Sequence, residues 1–418
     1  MASIIPQLKN IGKSATLQIN EASSNLEKKG RKVYRFGFGQ SPFPVPALVV
    51  DELKKYANEK SYLPVEGLRE LRKVISDHYF SEQSLDVSSK NILVGPGSKE
   101  LMYILQMVLD CTVIIPSPSW VSYEPQSIIL NKKYIFLDTS YKSKWKITAN
   151  TLEEKCKKIK GLKLLILNYP NNPTGLSYTK SELKSIAKIC KNNNVLVLSD
   201  EIYSRLHHRN DHISVSKYYP EGTIITSGLS KWCGAGGWRL GTMIFPQNLS
   251  LIRKAMRSVA SETFTSVSAP IQYAAVKAYK INHNEFLKKC RLILKFVSSF
   301  LHEELCSVGI KALKPTGGFY ILCDFSNVIK KTDNIFSDKE LSNFLLQKLG
   351  VASLPGSDFG LAKEKMILRL AFVDFDGGKA LKYLRYRNKL EISDYKELFP
   401  MVYEGLLKIK NWVLEKNI

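Results

Sequence analysis

The sequence predicts an α/β fold, with a mostly parallel sheet flanked on both faces by helices over about residues 48–298 and a smaller α+β domain after it. Three observations carry this. Short continuous apolar runs such as TVIIP (112–116), KLLILN (163–168) and NVLVLSD (194–200) have the length and composition of strands buried on both faces. Helical stretches alternate with them, as crossovers between parallel strands require. Polar and glycine-rich residues collect where the strands end, which is where open α/β sheets bind ligands.

At 418 residues the chain exceeds one ordinary compact domain and suffices for two with good cores. Its 44% hydrophobic and 24% charged content is that of a soluble globular protein. No apolar run has the length of a membrane span, and the N-terminus MASIIPQLKNIGK lacks a secretory apolar core, so the cytoplasm is the default location. The seven cysteines are scattered, odd in number and free of CxxC pairs, which suggests neither a disulfide framework nor a metal site. The net charge of +23 raises the question of nucleic acid. The lysines are spread from Lys9 to Lys416 without a dense basic block or a recognisable binding module, so they read as solvated surface.

Taken in order, SATLQIN (14–20) leads into a charged helical stretch, where Ser14 and Thr16 are of the helix-capping type. In YRFGFGQSPFPVPALVVDEL (34–53) the strand-like residues end at Gly37 and Gly39, prolines 42, 44 and 46 force an extended path, and a helix follows. SYLPVEGLRELRKVISD (61–77) joins Tyr62 and a turn to an amphipathic helix. NILVGPGSKELMYILQMVL (91–109) is a strand, a tight turn and a helix, so that Gly97, Ser98 and Lys99 form a helix N-terminus aimed at an anion. The strand at 112–117 ends in a loop presenting Trp120, whose flat face suits a planar ring or the core.

KLLILNYPNNPTG (163–175) breaks at Asn168 into a turn holding Asn172. A helix with an SxxE-like start follows over 177–193, then a strand that delivers Asp200 at its C-terminal end and Tyr203 three residues on. Residues 256–280 begin polar and become a long helix. In the C-terminal part, 315–325 and 351–360 read as strand and loop, and MILRLAFVDF (366–375) as a strand in which Arg369, set among apolar residues, needs an anionic partner.

The chemistry centres on SGLSKWCGAGGWRLG (227–241). In a loop this rich in Trp and Gly, Lys231 is expected to be partly buried, which favours its neutral, nucleophilic amine and a Schiff base with an aldehyde. Ser230 and Arg239 suit a phosphate on that aldehyde, and the glycines admit close backbone approach.

This loop, the NNPTG turn and the order of the other motifs from SATLQIN to Arg369 resemble the aspartate aminotransferase family, the class I/II aminotransferases that use pyridoxal 5′-phosphate (PLP), and most of all its bacterial-type aspartate aminotransferases. The resemblance implies fold type I, with a seven-stranded, mostly parallel sheet. It divides the chain into an N-terminal arm belonging to the small domain (1–47), a PLP-binding domain (48–298) and a small C-terminal domain (299–418). It further implies that Lys231 binds PLP and moves the substrate's α-proton, that Asp200 pairs with the ring nitrogen, and that Tyr203 and Asn172 reach the ring's phenolate oxygen. Gly97, Ser98, Lys99, Ser230 and Arg239 would hold the phosphate, Trp120 would face the ring, and Arg369 would grip the substrate carboxylate beside Gly39 and Asn172. Tyr62 would reach the phosphate site of a second subunit, which implies a homodimer with shared active sites. Ser14 and Thr16 would either meet the substrate side chain or cap their helix.

The expected reaction moves an amino group from an amino acid to a 2-oxo acid by a ping-pong mechanism. Lys99 and the SATL arm favour aspartate or glutamate by the same resemblance. Aromatic amino acids, methionine or prephenate are alternatives, as is a C–S lyase on the same fold. A PLP-sensing regulator would need a DNA-binding module ahead of SATLQIN.

Overall fold

A computed structural model describes residues 4–9, 11–12, 14–330, 334–387 and 389–415. After the first helix, α1 (Ala15–Lys28), a short strand β1 (Tyr34–Arg35) and two helices, α2 (Ala47–Lys55) and α3 (Arg69–Gln83), lead to the large sheet. Its strands are β2 (Ile92–Gly95), β3 (Thr112–Ser117), β4 (Tyr134–Asp138), β5 (Lys163–Asn168), β6 (Val195–Asp200), β7 (Thr223–Gly228) and β8 (Gly241–Ile244). They lie in the order β2-β8-β7-β6-β5-β3-β4. All neighbours are parallel except β8, which runs antiparallel to both β2 and β7.

The apolar runs build this sheet because both of its faces are covered. Along β5, Leu164 and Ile166 enter one core, with Val113, Ile115 and Met243. Leu165 and Leu167 enter the other, with Ile114 and Val197, as the two-residue period of a strand dictates. The flanking helices are α4 (Ser98–Val108), α5 (Tyr123–Ile129), α6 (Ala149–Cys156) and α7 (Lys180–Asn192). The capping box that opens α7 is Thr179 with Glu182, where the backbone and side chains of both residues are reciprocally bonded.

Residues 256–280 begin in one helix and end in another. They divide between α8 (Ser250–Thr263) and α9 (Ala269–Lys280). Thr265 takes a left-handed φ of 59°, and Pro270 stands in the first turn of α9, where its missing N–H costs nothing. The helix α10 (Asn284–Ser307) then runs unbroken across residue 298.

The remaining strands are β9 (Lys311–Ala312), β10 (Tyr320–Asp324), β11 (Val351–Ala352), β12 (Leu354–Pro355) and β13 (Ile367–Ala371). A four-stranded antiparallel sheet runs β12-β13-β10-β9, and β1 pairs in parallel with β11, tying the N-terminal segment to the C-terminal part. Arg369 sits on β13 opposite Leu322. The small sheet thereby delivers Arg369, and Tyr320 from β10, to a site built mainly at the end of the large one.

Candidate active site

The ends of β5 and β6 are in register, with Asn168 opposite Asp200. Asn168 Nδ2 donates to the Asp200 carbonyl at 2.9 Å, and its Oδ1 accepts from the Asn172 N–H at 2.8 Å, so one side chain sets the positions of two others. Asp200 is buried, and its Oδ2 accepts from Tyr123 Oη at 2.6 Å. Burial pushes the carboxyl up to about 6, although the bonds from Tyr123 and the Ile202 N–H and the charge of Lys231 hold it down.

Lys231 lies in the loop joining β7 to β8. Its Nζ donates to the Gly39 carbonyl at 3.0 Å and stands 5.6 Å from the centre of the Tyr203 ring. Tyr203 and Tyr320 share a hydrogen bond of 3.0 Å between their hydroxyls, and burial pushes the Tyr203 phenol well above its ordinary range. Tyr320 Oη also donates to the Gly39 carbonyl at 3.4 Å. A Cβ on Gly39 would fall 2.0 Å from that hydroxyl, so the close approach requires glycine here.

At the start of α4, Gly97 has a φ of 94° and Ser98 begins the helix. Arg239, itself at a left-handed φ of 54°, donates to the carbonyls of Gly236 at 3.0 Å and Pro96 at 3.3 Å. A Cβ on Gly97 would meet Arg239 Nη2 at 2.2 Å, which packs the guanidinium against the helix N-terminus. Lys99 is exposed at the pocket mouth, with its Nζ 4.9 Å from the Trp120 ring centre. The protein packed around its ammonium lowers its pKa, and repulsion from Arg239 and Lys231 adds to this.

Arg369 is buried. Its Nη1 donates to Asn172 Oδ1 at 3.3 Å and Nη2 to the Gly37 carbonyl, while Nε has no hydrogen-bond partner. Burial lowers its pKa. Among the described residues, none of Lys99, Lys231, Arg239 and Arg369 forms a salt bridge with a carboxylate. Cations around one cavity with no carboxylate in salt-bridge contact favour anions on a ligand.

These groups surround one cavity of about 470 Å³. Of the residues singled out in the sequence, Gly39, Ser98, Lys99, Trp120, Asn172, Asp200, Tyr203, Ser230, Lys231, Arg239 and Arg369 line it, as do Ser14 and Thr16. Ser14 stands at the N-cap of α1 but makes no capping bond with its side chain. Gly97 lies behind the wall, against Arg239, and Tyr62 is 88% exposed and does not line the cavity of its own chain. Tyr123, Asn168 and Tyr320 belong to the site and were not singled out. Asn168 had a signal, since it breaks an apolar strand just ahead of the NNPTG turn; a tyrosine three residues after Trp120 and another in an apolar strand had none.

A sheet of this order, with its lysine between β7 and β8 and its arginine supplied by a second sheet, is the architecture of the fold type I transferases. The chain belongs to the aminotransferase class I and II family, whose model matches residues 31–376. It is an aminotransferase of the aspartate aminotransferase group. An aspartate aminotransferase of Bacillus sp. (strain YM-2) is 32% identical over 85% of this chain and 91% of its own. A probable aspartate/prephenate aminotransferase of Aquifex aeolicus is 30% identical over 86% of this chain and 91% of its own. The solved aspartate aminotransferase of Thermus thermophilus with maleate superimposes with a TM-score of 0.85 at 25% identity, covering 98% of this chain and all of that one. Members of this family use PLP and act on amino and 2-oxo acids. Among the described residues no helix is long and apolar enough to cross a membrane.

Proposed function

We propose that this chain transfers the amino group of aspartate or glutamate to a 2-oxo acid in two ping-pong half-reactions with PLP, as a cytoplasmic homodimer. The observation that carries the reading is the convergence of Lys231, buried Asp200 and buried Arg369, whose Nε has no hydrogen-bond partner, on one cavity. The residues fit the cofactor. A lysine suits its aldehyde, a buried carboxylate at raised pKa suits its ring N–H, and the Gly97–Arg239 cradle at a helix N-terminus suits its phosphate.

PLP supplies the aldehyde that takes the amino group and a protonated ring that withdraws electrons from the α-carbon. Asp200 would pair with that ring nitrogen and keep it protonated, and Tyr203 and Asn172 would bond the ring's phenolate oxygen. Ser98, Ser230 and Arg239, with the backbone at Gly97 and Lys99, would hold the phosphate, joined by Tyr62 of the partner subunit. Trp120 offers its flat face to the ring. Arg369 binds the substrate's α-carboxylate beside Gly39 and Asn172, which orients the α-hydrogen. Lys231 Nζ takes that proton as a base and returns it as an acid. Lys99 and the arm residues Ser14 and Thr16 read the distal carboxylate.

A wider substrate range is the second reading, favoured by the similarity to the aspartate/prephenate enzyme. A half-reaction tests both. The PLP-loaded protein is given single amino acids without a keto acid, and its near-visible absorbance is followed. Aspartate and glutamate are expected to bleach the band and 2-oxoglutarate to restore it. An unchanged band with every amino acid, or release of ammonia, overturns the transaminase reading.

A further inference from the structure

Glu201 sits between Asp200 and Tyr203, but its side chain belongs to the other face of the large sheet. Val195 and Val197 on β6 enter the core beneath that face, and Ser199 and Glu201 continue their row past the end of the strand. Glu201 is fully buried and does not line the active-site cavity. Three side chains close around its carboxylate. Ser199 Oγ and Ser214 Oγ donate to Oε1 at 2.8 and 2.5 Å, and His212 Nε2 donates to Oε2 at 3.0 Å. The imidazole of His212 is 6% exposed and stacks on Tyr169, with ring centres 5.1 Å apart. Burial works to raise the Glu201 pKa, but His212 and the two serines outweigh it and hold the carboxyl below its ordinary value.

The backbone of Glu201 is fixed as well. Its N–H donates to the Thr226 carbonyl on β7 at 2.9 Å, and its carbonyl accepts from the Ser204 N–H at 3.0 Å, which closes the turn carrying Tyr203. Neutral groups suffice to hold a turn, and an ionised carboxylate taken out of water costs more than an amide in the same place. What the charge adds is like-charge repulsion on Asp200, one residue away and also buried. The other groups around Asp200 act against that repulsion or carry no charge. Tyr123 and the Ile202 N–H donate to it, Lys231 attracts it, and burial keeps the Tyr203 phenol protonated. Around Glu201, besides His212, the phenols of Tyr79 and Tyr169 are pushed well above their ordinary range by burial and stay neutral.

We propose, on the PLP reading above, that Glu201 is a positioning residue for the transfer reaction. Held by His212, Ser199 and Ser214, it fixes the turn bearing Asp200 and Tyr203 and, as a permanent negative charge behind Asp200, strengthens that carboxyl's hold on the proton of the cofactor's ring nitrogen.

The test compares wild type with Glu201→Gln, which keeps the size of the side chain and an acceptor for the serines but removes the charge. Protein labelled with carbon-13 at the aspartate carboxyls is titrated by NMR without PLP, and the Asp200 signal is identified by its loss in Asp200→Asn. In Glu201→Gln the Asp200 midpoint is expected to fall by about half a pH unit or more, the direction for loss of a nearby like charge. The loaded variant is expected to release PLP several-fold faster than wild type. In protein labelled at the glutamate carboxyls, the Glu201 signal, identified by its displacement in Ser214→Ala, is expected to be that of a carboxylate at about pH 7. This last measurement serves if the glutamine variant does not fold. An unmoved Asp200 midpoint with a lowered melting temperature confines Glu201 to the fold and overturns the proposal, as does a protonated Glu201 at about pH 7. A fallen midpoint with wild-type PLP release overturns the link to the ring nitrogen. The two titrations need no PLP, so their failure is distinguishable from failure of the half-reaction.

Discussion

Tyr123 Oη stands 2.6 Å from Asp200 Oδ2, joining residues 77 positions apart, so the carboxylate proposed to face the cofactor is already hydrogen-bonded from its other side. Removing that hydroxyl leaves the burial of Asp200 and takes away a bond that lowers its pKa. Tyr123→Phe should therefore move the acid limb of the kcat/KM profile to higher pH. It should also cost about 1–3 kcal/mol of stability, the range for an unpaired buried polar group. A pH-rate series and denaturant unfolding at pH 7 check the two parts.

Asp200 also governs the PLP-free protein. Its folded pKa of about 6 lies above the ordinary aspartate value, so the folded state binds the proton more tightly than the unfolded state. Stability from this group is present below about pH 4 and declines as pH rises to about 6. Asp200→Asn should remove that component, measured as a flatter dependence of unfolding free energy on pH between those limits.

Arg369 is held by one side chain and one carbonyl, with Nε unpaired. Arg369→Gln should lower kcat/KM on the order of 10²-fold or more, since each hydrogen bond to a charged group contributes about 1.5–3 kcal/mol. The melting temperature of the same variant should stay at or above wild type, because an uncompensated buried charge has gone. Steady-state kinetics with thermal unfolding separates the two effects.

Lys99 lines the cavity between Trp120 and the helix start. Lys99→Ala should reduce activity with aspartate and leave that with apolar amino acids unchanged. Equal losses across a donor panel would remove Lys99 from side-chain recognition.

Tyr62 is exposed on its own chain, and its proposed place is the site of a neighbouring copy. Mixing inactive Lys231→Ala subunits with Tyr62→Phe subunits should give hybrids carrying one intact site, and activity should rise above that of either parent. No rise in verified hybrids would place Tyr62 outside the site.

The sheet was legible where strands announce themselves by unbroken apolar runs, as β3, β5 and β6 do. The strand β8 was not, because GTMI is short and follows the loop that holds attention for its lysine. The residues around the cavity were legible where type and position restrict one another: a lysine among glycines, an aspartate closing an apolar strand, an arginine inside one. Tyr123 and Tyr320 were not, because a core tyrosine and a positioning tyrosine have the same local sequence, and only the chain's return over many residues brings their hydroxyls to Asp200 and Tyr203. The break between α8 and α9 rests on Thr265 and Pro270, which a reading of apolar periodicity passes over.

The place of β8 between β2 and β7 bears on how the protein is made. The strand β2 is complete at Gly95, but the neighbour that covers it begins only at Gly241. At ordinary rates of synthesis this leaves an apolar edge waiting for roughly ten to thirty seconds on the ribosome. Until β8 emerges, the turn at Gly97 and the loop carrying Arg239 cannot meet. The cradle is therefore a late product of the nascent chain, and a ligand that binds there acts on a large sheet already nearly assembled.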